Sequence, residues 1–183
     1  MLFPAIIRTL GSLTLVALAF GVVLFGAFAM PAGRERLRAA FSGNESHLIG
    51  WAFGLALIAT MSSLYLSEIA HLQPCMLCWY QRIAMYPLVV VLGVGFARGD
   101  PGVWRYALPL PLIGLLISSY HVMLQIRPSL ELVPCTSGVP CTARLVAVFG
   151  FISIPVMATS VFLLILALLF AVRLASRTHA STD

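Results

Sequence analysis

Between Arg8 and Arg34 the chain runs 25 residues without a charged side chain, and it does this repeatedly. The interval from Leu48 to Ser67 has 20 residues, that between Arg105 and Arg127 has 21, and that between Arg144 and Arg173 has 28. A helix needs about 20 residues to cross a hydrocarbon core about 30 Å thick, so each interval is long enough to span. A fifth interval, between Arg82 and Arg98, has only 15. At ~1.5 Å per residue that is roughly 22 Å, which falls short. The helix must therefore start earlier, near Met76 or Trp79, with Arg82 about one turn inside the membrane boundary. Composition agrees: 9% of residues are charged, against about 25% in a soluble domain. The fold class is all-α integral membrane protein, with spans at roughly 9–30, 48–68, 77–97, 105–125 and 147–172.

The basic residues are 11 arginines and no lysine, against 6 acids, for a net charge of +5. They stand singly or in one short cluster between apolar runs. That pattern reads as a topology signal rather than a nucleic-acid surface, so no nucleic acid is expected as a partner. One set of loops holds Arg34, Arg36, Arg38, Arg98, Arg105, Arg173 and Arg177; the other holds Arg8, Arg127 and Arg144, with Arg82 at its border. The richer set belongs in the cytoplasm. The N-terminus and the loops at 69–76 and 127–146 then lie outside. Arg8, the apolar run after it and Ala27–Ala29 also resemble a secretory signal. Cleavage there would leave three arginines outside, against the charge rule, so the first helix is read as retained. The tail from Arg173 to Asp183 is polar and expected to fray.

All four cysteines fall in the two outer loops, as Cys75/Cys78 and Cys135/Cys141. An even count on an oxidising side of a membrane points to disulfide chemistry. Pro74 and Cys75 open a helix, whose free N–H groups and dipole stabilise a thiolate. Cys78 and Arg82 are four apart and share a helix face. The guanidinium keeps its charge at working pH and favours the Cys78 thiolate or another anion beside it. An arginine at that depth is a functional candidate; snorkelling to the headgroups is the plain alternative. The second pair lies in "LVPCTSGVPCTAR", where Pro134, Gly138 and Pro140 bend an exposed loop, and an exposed disulfide is a labile one. Two inert structural disulfides, or a four-cysteine zinc site where the loops meet, remain open on the cysteines alone. Neither accounts for Arg82.

Other polar groups sit near the same edge. His121 lies about one turn from the outer end of its helix, where it either hydrogen-bonds a neighbouring helix or binds a polar ligand group. Glu68 and His71 are read as a local interfacial pair. Trp79, Tyr80 and Tyr120 suit an aromatic belt or the walls of a flat pocket. Pro87, Pro109, Pro111 and Pro155 interrupt helices, as membrane bundles tolerate. Gln125 is open.

Four segments together resemble the disulfide bond formation protein B (DsbB) family, and more closely its BdbC-like branch: "PCMLCWYQRIAMYPL", "SSYHVMLQ", "VPCTSGVPCTAR" and "FGFISIPVMA". The resemblance covers about residues 48–172. It implies a four-helix transmembrane bundle in the bacterial cytoplasmic membrane, here with one extra N-terminal transmembrane helix. Residues 1–47 would be that helix and its cytoplasmic linker, 48–172 the bundle with two extracytoplasmic redox loops, and 173–183 the tail. It implies an enzyme that reoxidises a thioredoxin-fold dithiol oxidase (DsbA/BdbD-like) outside the membrane and passes the electrons to a quinone, ubiquinone or menaquinone. Cys135 would form the mixed disulfide with the partner; the freed Cys141 would attack the Cys75–Cys78 disulfide at Cys75. Cys78 would be released facing the quinone, with Arg82 polarising a quinone oxygen and His121 bordering the same pocket. No metal is expected. A reductase of vitamin K epoxide reductase type and a non-enzymatic module stapled by disulfides or zinc are the competing readings. The helix at 9–30 lies outside the family's core, and only five residues separate Cys135 from Cys141, fewer than in the better-studied branch.

Overall fold

A computed structural model describes residues 2–131, 135 and 139–179. Pro134 and Gly138, the expected bends of the second cysteine loop, lie outside the described residues, as do residues 180–183 of the tail. Seven α-helices account for most of the described chain: α1 (Leu2–Ala29), α2 (Pro31–Phe41), α3 (Glu45–Leu64), α4 (Met76–Arg98), the single turn α5 (Trp104–Ala107), α6 (Pro109–Ile126) and α7 (Ile154–His179). Five of them are long and apolar enough to cross a membrane. Among the described residues there is no strand, only one bridge between Val148 and Ile152.

Helices α3, α4, α6 and α7 form a ring in which α3 packs on α4, α4 on α6, α6 on α7 and α7 on α3. α1 lies outside this ring along α7, and α2 folds back onto α7. α7 is thus covered on three sides and is the most buried of the spans. Its Phe162, Ile165, Leu169 and Val172 are fully buried beside Ile49 of α3 and Leu88 and Leu92 of α4. Between lipid-facing helices, close packing replaces the hydrophobic drive, and small residues allow it. A Cβ on Gly114 of α6 would lie 2.3 Å from the Phe162 ring, so only glycine fits there.

Helix ends follow local chemistry. α4 begins after Pro74, with Cys75 extended at the cap position, and stops at Gly99, whose φ of 59° supplies the left-handed residue that ends many helices. The expected span 105–125 starts at Pro109 instead, after the short α5, because proline suits a first helical turn. The expected span 147–172 starts at Ile154: Phe149 and Gly150 have positive φ and turn the chain at the Val148–Ile152 bridge. The expected fraying from Arg173 is not what the structure has. α7 continues to His179, with Ala175 buried and the Arg173 guanidinium 4.9 Å above the Trp104 ring. The Glu68–His71 pair does not form either. Tyr65–Ile69 is a π-turn, His71 is left-handed (φ 52°), and Glu68 accepts from the Ser67 hydroxyl at 2.9 Å.

Candidate functional site

The two cysteine pairs come from distant segments and meet in one cluster. Cys75, Cys141 and Leu124 are its buried centre, with Cys78, Cys135 and Tyr120 packed around them. Cys135 and Cys141 are joined as a disulfide. Cys75 and Cys78 are free thiols with sulfurs 3.0 Å apart, one turn of α4 bringing them face to face. Cys75, at the cap ahead of the membrane-spanning stretch, has its thiol pKa held down to about 4. The largest cause is the hydrogen bond from the Cys78 thiol, working against burial, with His121 adding to it.

His121 stands between the pairs. Its Nε2 lies 3.0 Å from the Cys141 carbonyl oxygen and 3.7 Å from Cys75 Sγ. Its Nδ1 lies 3.0 Å from the Gln81 side-chain nitrogen. An amide nitrogen only donates, so Nδ1 accepts and Nε2 carries the proton it gives to Cys141. Gln81 of α4 therefore fixes the ring of α6, and the ring holds the second loop against the first. Gln125, one turn further along α6, completes the clasp: it donates to the Ala143 carbonyl at 3.2 Å and accepts from the Ser153 hydroxyl at 2.6 Å. Cys75, Cys78 and His121 also bring three potential metal-ligand atoms within 4.8 Å of one another. The His121 nitrogens are already engaged, however, and the disulfide removes Cys135 and Cys141 from any four-thiolate site.

Arg82 does not snorkel. It is 9% exposed, and its guanidinium donates from Nε to Ser63 Oγ and from an Nη to the Ser63 carbonyl, both at 3.0 Å. Ser63 lies one residue before the end of α3, just ahead of the π-turn at Tyr65–Ile69. The Trp79 ring lies 5.2 Å beneath the guanidinium, a favourable cation–π placement. Two donors are spent on Ser63 out of five, and Arg82 lines a cavity of about 450 Å³ with Cys78, Gln81, Ser63 and Tyr86. That volume lies within the ~300–1,000 Å³ usual for small-molecule sites. The rest of its wall is mostly apolar, from α1, α3 and α7.

Cys78 borders this cavity and Cys75 does not. His121 does not border it either. It lines a much smaller space with Cys75, Cys78 and Gln125, and Cys78 borders both spaces. The histidine is drawn toward the disulfide loop by Gln81, a partner 40 residues away. Gln81 and Tyr86 carried no signal in the sequence reading. Gln81 sits beside Arg82 in a motif dominated by cysteines, and Tyr86 passes for a core aromatic. Its hydroxyl is buried and has no hydrogen-bond partner among the described residues.

An all-helical, multi-pass membrane protein with a thiol pair and a disulfide clustered at the end of its bundle is built as a disulfide-handling membrane protein. The chain belongs to the DsbB family: the model for disulfide bond formation protein DsbB matches residues 45–172. Relatives include disulfide bond formation protein C of Bacillus subtilis, 50% identical over 113 residues, covering 61% of this chain and 82% of that one. A probable disulfide formation protein C of Bacillus cereus is 43% identical over 141 residues, 76% of this chain and 96% of its own. A probable disulfide formation protein of Metapseudomonas resinovorans is 38% identical over 135 residues. No solved structure matches the chain.

Proposed function

We propose that the protein reoxidises an extracytoplasmic thioredoxin-fold dithiol oxidase and delivers the electrons to a membrane quinone. The observation that carries this reading is the division of labour within one Cys-x-x-Cys. Cys75 packs against Cys141 and His121, whereas Cys78 opens on the cavity that Arg82 lines. A thiol pair packed in one cluster with a disulfide, of which Cys78 and not Cys75 also borders a largely apolar cavity, suits electron transfer between a protein thiol and a lipid-soluble oxidant.

The cavity fits a quinone. A charged guanidinium with spare donors and an orphaned tyrosine hydroxyl sit in an apolar wall, which suits a flat apolar ring edged by carbonyl oxygens. Arg82 and Tyr86, four apart on α4, would hold those oxygens. A bound quinone supplies an acceptor for two electrons and two protons, taken from the Cys75/Cys78 dithiol as it closes to a disulfide.

The protein's own steps are thiol–disulfide exchanges. A partner thiolate attacks Cys135, and Cys141 leaves as a thiolate. The partner's second thiol then closes its disulfide and releases Cys135, so two electrons and two protons have moved inward. The Cys141 thiolate attacks the oxidised first pair at Cys75, and Cys78 leaves as a thiolate toward the cavity; Cys135 then displaces Cys75 and reforms the outer disulfide. His121 acts here as a positioning residue, with Nε2–H directed to the Cys141 carbonyl and within reach of Cys75. Once Cys78 has taken up the proton given up by Cys135, its thiol hydrogen-bonds Cys75 Sγ and makes Cys75 a good leaving group as Cys135 attacks.

The deciding experiment is anaerobic. Purified protein is mixed with a reduced thioredoxin-fold dithiol and a soluble quinone, and quinone absorbance is followed with the partner's thiol count. One quinone consumed per partner disulfide formed, abolished in Cys78→Ser, is the expected result. No consumption with ubiquinone or menaquinone analogues across several partners would defeat the reading.

A further inference from the structure

The large cavity is walled partly by a helix that the family match leaves out. The match begins at residue 45, yet Leu10, Thr14, Ala17 and Phe20 of α1 face the same cavity as Cys78 and Arg82. α1 is seated, not loosely appended. A Cβ on Gly11 would lie 2.7 Å from Val148 Cγ1, and one on Gly21 would lie 3.3 Å from Leu163 of α7. These close approaches fix the register of α1 along α7 and the loop that precedes it. They leave the cavity between α1 and α3, with α4 and α7 as its other walls.

The cavity is polar at one end only. Ser63, Cys78, Gln81 and Arg82 cluster near the outer end of the bundle. From there the lining continues along α3 as far as Trp51 and along α1 as far as Phe20, almost wholly through apolar side chains. At ~1.5 Å per residue, Trp51 to Leu66 covers roughly 22 Å of α3 and Leu10 to Phe20 roughly 15 Å of α1. A ring alone needs no groove of that length.

We propose that α1 forms one wall of a groove for the isoprenoid tail of the quinone, so that this helix outside the family core sets the preference for long-tailed quinones. The inference rests on the quinone reading above and adds an occupant for the apolar end of the cavity. A blocked groove costs the tail its close packing against the groove walls, which is what favours it over the surrounding lipid or detergent, so the block is felt in affinity.

The test uses the full-length protein in detergent and reads binding by calorimetry, with menadione and a four-isoprene menaquinone, and with the tail-less and four-isoprene ubiquinones. Ala17→Phe fills the groove, Phe20→Ala removes part of its wall, and Leu15→Phe alters a neighbouring α1 position that does not line the cavity. The quantity compared is the ratio of tailed to tail-less affinity. It should fall about tenfold in Ala17→Phe, a loss of about 1.4 kcal/mol, fall by less in Phe20→Ala, and stay at the wild-type value in Leu15→Phe. An unchanged ratio in both groove variants, whether the separate affinities hold or fall together, overturns the proposal. So does a wild-type protein that binds tailed and tail-less quinones equally. Wild-type protein that binds none of the four overturns the quinone reading itself.

Discussion

Arg82 is held at a depth where an unpaired guanidinium would be costly, and Ser63 is what holds it. Hydrogen bonds involving a charged group contribute about 1.5–3 kcal/mol, so Arg82→Ala should raise the apparent quinone KM by roughly tenfold or more. Arg82→Lys should recover only part, because an ammonium cannot bond Ser63 and a ligand with one planar fork. Tyr86→Phe removes a hydroxyl that has no hydrogen-bond partner among the described residues, so thermal stability should hold while the KM rises several-fold, in keeping with a neutral hydrogen bond of about 1 kcal/mol. A fall in stability with no change in KM would mean that Tyr86 serves packing alone. The Cys75 thiol makes a separate prediction. In protein lacking Cys135 and Cys141, thiolate absorbance should persist as pH falls until about 4, and Cys78→Ala should return the transition toward 9.0. Because the folded pKa lies below the unfolded one, the thiolate's contribution to stability is complete above pH about 9 and is lost as pH falls through about 4.

The existence of every span was legible, because a charge-free interval of membrane length allows little besides a helix. Their ends were less so. The late start of α7 depends on Phe149 and Gly150 entering the left-handed region, and the π-turn at Tyr65–Ile69 interrupts a stretch whose pattern reads as unbroken helix. The cysteines and Arg82 stood out because such groups are rare in apolar runs. The pairing of His121 with Gln81, and of Arg82 with Ser63, depends on the register between helices, which no local spacing encodes. The α6–α7 register rests on Gly114 against Phe162. Gly114→Ala places a methyl where Phe162, fully buried, cannot retreat. Overpacking of this kind costs ~1–3 kcal/mol. The melting temperature in detergent should fall, and Phe162→Leu added to Gly114→Ala should restore part of the loss although it is destabilising alone. Purely additive losses would show that the two residues do not share the strained contact.

Across the whole molecule, the arginine distribution and the clustering of the cysteines lead to one orientation. Arg173 stacks on Trp104 in the turn between α4 and α6, so the end of α7 and that turn lie on one face. The cysteine cluster, built from the start of α4 and the loop after α6, lies at the opposite ends of the same helices. The face with Arg34, Arg36, Arg38, Arg98 and Arg105 should be cytoplasmic, because arginine-rich short loops are retained there. The cysteines then lie in the compartment where a disulfide persists. Alkaline phosphatase, active only where its own disulfides form, distinguishes the two faces. Fusions after Gln73 and after Glu131 should be active, and fusions after Gly99 and after Ser176 inactive. The reverse pattern would put both pairs in a reducing cytoplasm, where the Cys135–Cys141 disulfide has no oxidising partner to serve. Activity at all four sites would mean that the helices between them do not cross the membrane as the ring of α3, α4, α6 and α7 requires.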